Sequence, residues 1–347
     1  MENNSAHTIK WENTNAVFSA IADAGKTSRA KIAAHTGLSL MTVGKVIDKL
    51  AQLGVLTQAK NDEITAGRKA RLAACDKRWH MLLLDMTALN FRLCVLDLSL
   101  QIIDDAVYRY DEGMFCEENL LFFLKNMGLY RKTVTDPQFC LGMTVLMPGA
   151  YDAQADRIRG TRLSELGPMR PMNLLKAIFP ALHIELIEDI RAASLAALRR
   201  IPRPHTGTRL WLSLNRPVSG VLILDGIPVL GKHSCAGRFG EITVGTNFTL
   251  DQALVSLTDK TEQAAAVAIA LYSLIAATDP EEILLESSLL SLDDSFMQSI
   301  VHRLEQMNTE RSIPLPAIAR ADNLLGQAAR GAALLMRDAW LEALSDE

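Results

Sequence analysis

At 347 residues, with 49% hydrophobic and 22% charged side chains, the chain has the composition of a soluble globular protein of two or three domains, not of a disordered polymer. Its longest apolar run, residues 264–277, is shorter than the ~20 residues a spanning helix needs, and the polar start MENNSAHTIKWENTN has no secretory apolar region. A cytoplasmic protein with no membrane partner is therefore expected. The net charge of −4 is unevenly spread: nine Lys or Arg stand against three Asp or Glu from Lys26 to Arg71, which points to a polyanion contact confined to that segment.

The first predicted element is a helix over Asn15–Ala24, with Val17, Phe18 and Ile21 at helical spacing and Gly25 as its stop. In TSRAKIAAHTG, Thr27 or Ser28 can cap a second helix. Gly37 permits a sharp turn, Leu38 plugs the angle, and Ser39 caps a third helix. The inner face of that helix is Val43, Val46, Ile47 and Leu50, and Gly54 ends it. Two helices joined in this way form a helix-turn-helix, whose second helix presents its first turns to base edges while neighbouring groups hold phosphates. The outward positions are Leu40, Met41, Thr42 and Lys45. Met41 suits a thymine methyl, and Thr42 and Lys45 can reach bases or phosphates. Gly44, in mid-helix, leaves room for close approach to a phosphate. The segment 55–73 reads as a wing: strand VLTQ, polar turn AKNDE, then ITAGRKARL. There Arg68, Lys69 and Arg71 can track phosphates or enter a minor groove. The competing reading is an amphipathic helical hairpin that only packs; spacing, caps, wing and local charge together favour DNA.

Beyond Cys75 the pattern changes. HMLLLDM, FRLCVLDL and LQIIDDAVY are three strand-like runs with tight connections. A helix is expected over Glu117–Tyr130 and a strand over Phe139–Leu146. Strand HIELI, helix IRAASLAALRR, and strands RLWLSL and VSGVLILDG follow. The remainder reads as a helix over Glu262–Ala276, strand EEILLES, helix SFMQSIVHRLEQM, strand PLPAIA and a final helix over Ala329–Leu344. A strand meander followed by alternating helices and strands occurs twice, so two α/β lobes are predicted. The five cysteines are scattered, with no CxxC pair. No zinc framework is expected from them, and reduced thiols are.

The landmarks SRAKIAAHTGLSLMTVGKVIDKL, AGRKARL, LLLDM…LCVLDL, VLMPGAYD, VSGVLILDGIPVLG and AGRFGEITV, in this order, resemble the ROK (repressor, ORF, kinase) family across residues 15–345. The resemblance implies a winged helix-turn-helix DNA-binding domain over residues 1–75. It implies a two-lobed, actin-like (ribonuclease H-like) sugar-kinase body over residues 76–347. It also implies a homodimer or homotetramer on double-stranded DNA with a palindromic operator, since protein two-fold symmetry matches half-site symmetry. A sugar or sugar derivative would be the small-molecule effector.

The chain departs from that family at the chemistry. The DxGxT-like turn reads DMTALN, keeping Asp85 but neither glycine, so backbone N–H groups lose their access to a phosphate. The ENDAN-like stretch reads EDIRAAS, which puts Ile190 at the position of the base; a shifted register would give that role to Asp189. The glycine-rich second loop reads NRPVSGV, with Pro217 lacking an N–H. AGExGH becomes AGRFGEI, placing Arg238 and Glu241 at the sugar-binding and zinc-ligating positions, and the cysteine-rich zinc loop is missing. His233 stands nearby without cysteine partners. No metal, cofactor or catalytic residue is expected. Asp85, Asp189, Arg238 and Glu241 would line the old sugar site, where Arg238 can grip an anion bidentately or pair with Glu241 or Asp189.

Three functions follow: a DNA-binding repressor of sugar or related carbon metabolism with an inactive body; a sugar kinase working through Asp85 or Asp189; and a body that docks a protein partner. The apolar last helix is expected to pack back on the N-terminal helices and connect body to reader.

Overall fold

The computed structural model describes residues 2–60, 71–88, 90–109, 117–134, 136–161, 163, 166–199, 206–245, 247–309, 313–321 and 325–346. The N-terminal part contains α1 (Glu2–Ala24), β1 (Thr27–Ser28), α2 (Arg29–Thr36), α3 (Leu40–Gln52), β2 (Leu56–Lys60) and β3 (Arg71–Cys75). The three strands form an antiparallel sheet in the order β1-β3-β2. Helix α1 begins at Glu2, well before the predicted Asn15; of its polar stretch, Ile9, Lys10, Asn13 and Thr14 line a crevice with residues of α3 and α10, so that part is held by other helices and not by an apolar stripe of its own. Val17, Phe18 and Ile21 of α1, Ile32 of α2, and Val43 and Ile47 of α3 are buried together in one core.

The first lobe is built on β4 (His80–Ala88), β5 (Asn90–Asp97), β6 (Ile102–Arg109), α4 (Glu117–Val134), β7 (Cys140–Met147), the small hairpin β8 (Ala150–Asp152) and β9 (Arg157–Arg159), α5 (Pro171–Ile178) and β10 (Ile184–Glu188). Its five-stranded sheet runs β10-β7-β4-β5-β6. The meander β4-β5-β6 is antiparallel, and β7 and β10 add in parallel. Helix α6 (Asp189–Leu198) follows and packs against strands of both lobes.

The second lobe repeats the plan with β11 (Thr208–Ser213), β12 (Ser219–Leu224), β13 (Ile227–Pro228), α7 (Leu250–Ser256), α8 (Lys260–Thr278), β14 (Glu282–Glu286), α9 (Asp294–Asn308) and β15 (Ala317–Arg320). Its sheet order is β13-β12-β11-β14-β15. A meander followed by parallel additions in each half is the repeated α/β unit that the strand pattern predicted. Helix α8 is long and apolar enough to cross a bilayer, but half of that stretch is buried inside the lobe, where Val267, Leu271 and Ile275 join its core.

The last helix, α10 (Ala328–Asp346), packs on α6, β7 and β4, and also reaches α1. Arg330 pairs with Asp23 at 3.4 Å, and the buried Arg337 lies 5.2 Å over the Phe18 ring and donates to the Leu98 carbonyl at 3.2 Å. Burial pulls the Arg337 guanidinium down to about 10, with the Arg199 charge adding to the effect. The passage from β3 to β4 is also pinned. Trp79 Nε1 donates to the Gly54 carbonyl at 2.9 Å, and its ring meets Trp340 at 4.7 Å and Phe139 edge-on at 5.2 Å. The last helix therefore meets the N-terminal helices as the sequence suggested.

Candidate functional site

The turn between α2 and α3 rests on three local devices. Ser28 caps α2 by accepting from Lys31 N–H. Gly37 adopts φ 71°, a left-handed conformation that an L side chain resists, and its N–H closes on the Ala33 carbonyl at 3.0 Å. Ser39 Oγ accepts from Thr42 N–H at 3.1 Å and lies 2.9 Å from Thr42 Oγ1. Because Val43, Ile47 and Leu50 face the core, the start of α3 is turned outward: Leu40 is 61% and Met41 70% exposed. Lys45 is exposed and makes no ion pair among the described residues.

Gly44 behaves differently from the prediction. It is buried, and a Cβ there would lie 3.2 Å from Arg29 Nη1. The missing side chain makes room for the Arg29 guanidinium, which pairs with Asp48, rather than for a phosphate. Arg71 is exposed at the start of β3, opposite Lys60 of β2. Arg68 and Lys69 lie outside the described residues.

In the body, each residue expected at the old sugar site has a partner of its own. Asp85 Oδ1 accepts from Thr87 N–H at 2.9 Å and from Thr87 Oγ1 at 2.7 Å. The strand β4 runs on through Thr87 to Ala88 with only a register shift, where a glycine turn would have opened a phosphate cradle. Asp189 is buried at the first turn of α6, and its carboxylate accepts from the Ile190 N–H at 2.8 Å. Ile190 is wholly buried in the core, so its side chain can neither meet a substrate nor take a proton. Arg238 donates to Glu241 at 2.7 Å, which is the internal pairing the sequence allowed. Its guanidinium also lies over Gly160, where a Cβ would stand 3.2 Å from Nε.

Two residues that the sequence did not single out occupy key ground. Arg191, one position after Ile190, is 6% exposed. Its Nε lies 3.2 Å from Glu188 Oε2, and its Nη2 donates to the carbonyls of Ser234 at 2.6 Å and Ala236 at 2.8 Å. A buried guanidinium thus ties the helix leaving the first lobe to a loop of the second. The second is Asp251, at the start of α7. Its carboxylate accepts the Val218 N–H at 2.6 Å, in the loop expected to cradle phosphate. Burial raises its pKa, and Glu241 adds to that, while the Val218 hydrogen bond opposes it. The neighbouring Gly220 N–H is spent on the Gly237 carbonyl at 2.8 Å, and a Cβ at Gly220 would meet Phe239 at 2.6 Å. A carboxylate and a carbonyl therefore stand where a phosphate would need free donors. The signal available in the sequence was a lone Arg in the apolar start of a helix; Asp251 gave none, since its partner is a backbone group.

Among the described residues, no three His, Cys, Asp or Glu are placed to hold a metal ion. A cavity of about 570 Å³ opens beside Asn215, Glu286, Ser288 and Arg320. A second, of about 460 Å³, lies between α1, α3 and α10.

No protein-family profile and no curated protein matches the sequence. The solved structures do match. A ROK family transcriptional regulator, a homologue of the E. coli Mlc protein, overlays 97% of this chain and 99% of its own with a TM-score of 0.69 at 14% identity. A ROK family protein from Streptococcus pneumoniae in complex with sucrose matches 74% of this chain and 98% of its own, with a TM-score of 0.56 at 17% identity. A ROK hexokinase from Thermus thermophilus matches over the same shares with a TM-score of 0.56 at 16% identity. The mixed α/β fold is that of ROK proteins, as the motifs implied. Nearly the whole chain follows the regulator, and about three quarters of it follows the kinases.

Proposed function

We propose that the chain is a DNA-binding transcriptional regulator, a cytoplasmic repressor of sugar or related carbon metabolism acting as a homodimer or homotetramer on a palindromic operator. Residues 1–75 are a winged helix-turn-helix, and residues 76–347 are an oligomerisation and effector body that performs no phosphoryl transfer. The observation that carries this reading is the start of α3: a doubly capped turn holds Leu40, Met41, Thr42 and Lys45 outward from a packed core. The regulator's overlap with 97% of the chain supports it.

Ser39 and Leu40 set the entry of α3 into a major groove, Met41 meets a thymine methyl, and Thr42 and Lys45 reach base edges or phosphates. Arg68, Lys69 and Arg71 of the wing hold the flanking backbone. Kinase activity is disfavoured because Ile190 replaces the base and Asp251 holds the Val218 N–H. The residual ligand set of Asp85, Asp189, Arg238 and Glu241 is a poor match for a neutral hexose, given how each is already partnered. One observation favours the alternative body function, docking of a protein: Arg191 and Glu188 fill ground between the lobes. Retention of specific DNA fragments by the full chain, and its loss in Lys45→Ala/Arg68→Ala, tests the main reading. Retention unchanged by the double substitution contradicts this assignment of readers.

A further inference from the structure

We infer that the crevice between α1, α3 and α10 is a binding site for a small amphiphilic anion, an aliphatic carboxylate. Its volume is about 460 Å³, within the range of small-molecule sites. Val46 and Leu50 of α3, Leu53 just beyond it, Leu341 and Leu344 of α10, and Ile9 of α1 form its apolar surface. Among the described residues, Lys10, Lys45 and Lys49 are the charged groups that line it, and no carboxylate does. Of the three ammonium groups, Lys45 makes no ion pair among the described residues.

A hydrocarbon tail against the apolar surface and a head group at the lysines would satisfy both halves of this lining. A neutral sugar would leave apolar surface opposite its hydroxyls, and a cation would be repelled. DNA phosphates would account for the lysines, but not for the leucines that the last helix brings from the body. The position also carries a consequence, which rests on the regulator reading above: Thr42 and Lys45, assigned there to DNA, share this wall with Leu341 and Leu344. A ligand held between α3 and α10 competes for Lys45 and fixes the recognition helix against the body, so it changes DNA affinity.

The experiment is calorimetry on the full-length chain with decanoate, decanol and acetate as probes, followed by DNA retention with and without saturating decanoate. Decanoate is expected to bind saturably, one per chain, with decanol and acetate each weaker by roughly tenfold or more. Leu344→Trp, which fills the crevice from a half-buried position, is expected to abolish binding; Asn13→Trp on the opposite wall serves if that variant does not fold. Lys45→Gln is expected to weaken decanoate by roughly three- to tenfold. Absence of saturable decanoate binding, equal binding of decanol, or full binding by a folded crevice-filling variant would each overturn the inference. Decanoate binding by a chain that retains no DNA would leave the site standing and remove the regulator reading instead.

Discussion

The carboxylate of Asp251 accepts the backbone N–H of Val218 at 2.6 Å, so the loop expected, on the sequence motif, to cradle phosphate is already holding an anion of its own. A phosphate brought there would meet a carboxylate in place of a donor. Incubation of the full chain with ATP, magnesium and a panel of hexoses is expected to release no hexose-dependent ADP in a coupled assay. Hexose-dependent turnover would contradict the proposed inactivity and return attention to Asp85 and Asp189.

The Glu188–Arg191 pair predicts an asymmetric mutational pattern. Arg191→Ala removes the buried guanidinium beside the buried Glu188 carboxylate, a loss that typically costs about 3–5 kcal/mol. Replacing both together, Glu188→Leu with Arg191→Met, removes two charges and both desolvation penalties, and is expected to restore most of that stability. Urea unfolding of the two variants beside the parent checks this. Equal destabilisation by both would mean that the tie to the Ser234 and Ala236 carbonyls, rather than the ion pair, holds the helix.

Gly331 sits where α10 crosses α6, and a Cβ built on it would overlap the carbonyl of Ala192. Backbone on both sides leaves nothing flexible to move. Gly331→Ala is expected to cost about 2–3 kcal/mol or more despite alanine's better helix propensity. A melting temperature at or above the parent's would show that the two helices slide apart at no cost.

Asp76 and Arg78 predict an acid-side signature at the passage from β3 to β4. The Arg78 hydrogen bond holds the Asp76 carboxyl below its ordinary value of 3.8, with burial opposing. The folded-state value is depressed, so the stabilisation is present above the unfolded value and is lost as pH falls through the depressed one. Asp76→Asn should therefore be less stable than the parent near neutrality, and the gap should close as the pH falls below the ordinary value of 3.8 and through the depressed folded-state one. Urea midpoints across that range measure it, and a gap that stays constant would remove the charge from the explanation.

The Ser39 cap links stability to reading. Ser39→Ala removes the acceptor for Thr42 N–H and is expected to cost about 1 kcal/mol, lowering DNA retention through disorder at the start of α3. Ser39→Gly should cost only a few tenths of a kcal/mol. Equal DNA binding by all three would place the contact elsewhere on the helix.

Much of the fold was legible because it is local. Ser28, Gly37 and Ser39 announce caps and a left-handed turn within a few residues of their partners, and the strand meanders show in their apolar alternation. Residues 9–14 gave no helical stripe, since Ile9, Lys10, Asn13 and Thr14 face α3 and α10, beyond any local window. The use of Gly44 is hidden for the same reason: its neighbour Arg29 arrives from another helix. At the candidate site, the replaced motif residues were visible, but their substitutes were not. Arg191 reaches carbonyls more than forty residues away, and Asp251 reaches a backbone N–H; such partners have no side-chain signature.

The most direct measurement is a genome-wide pull-down of DNA fragments on the purified full chain, repeated with Lys45→Ala/Arg68→Ala. Enrichment of palindromic fragments by the parent, lost in the double variant, is the predicted result. No enrichment by a well-folded parent would contradict the regulator assignment and make the first seventy or so residues a scaffold for protein partners.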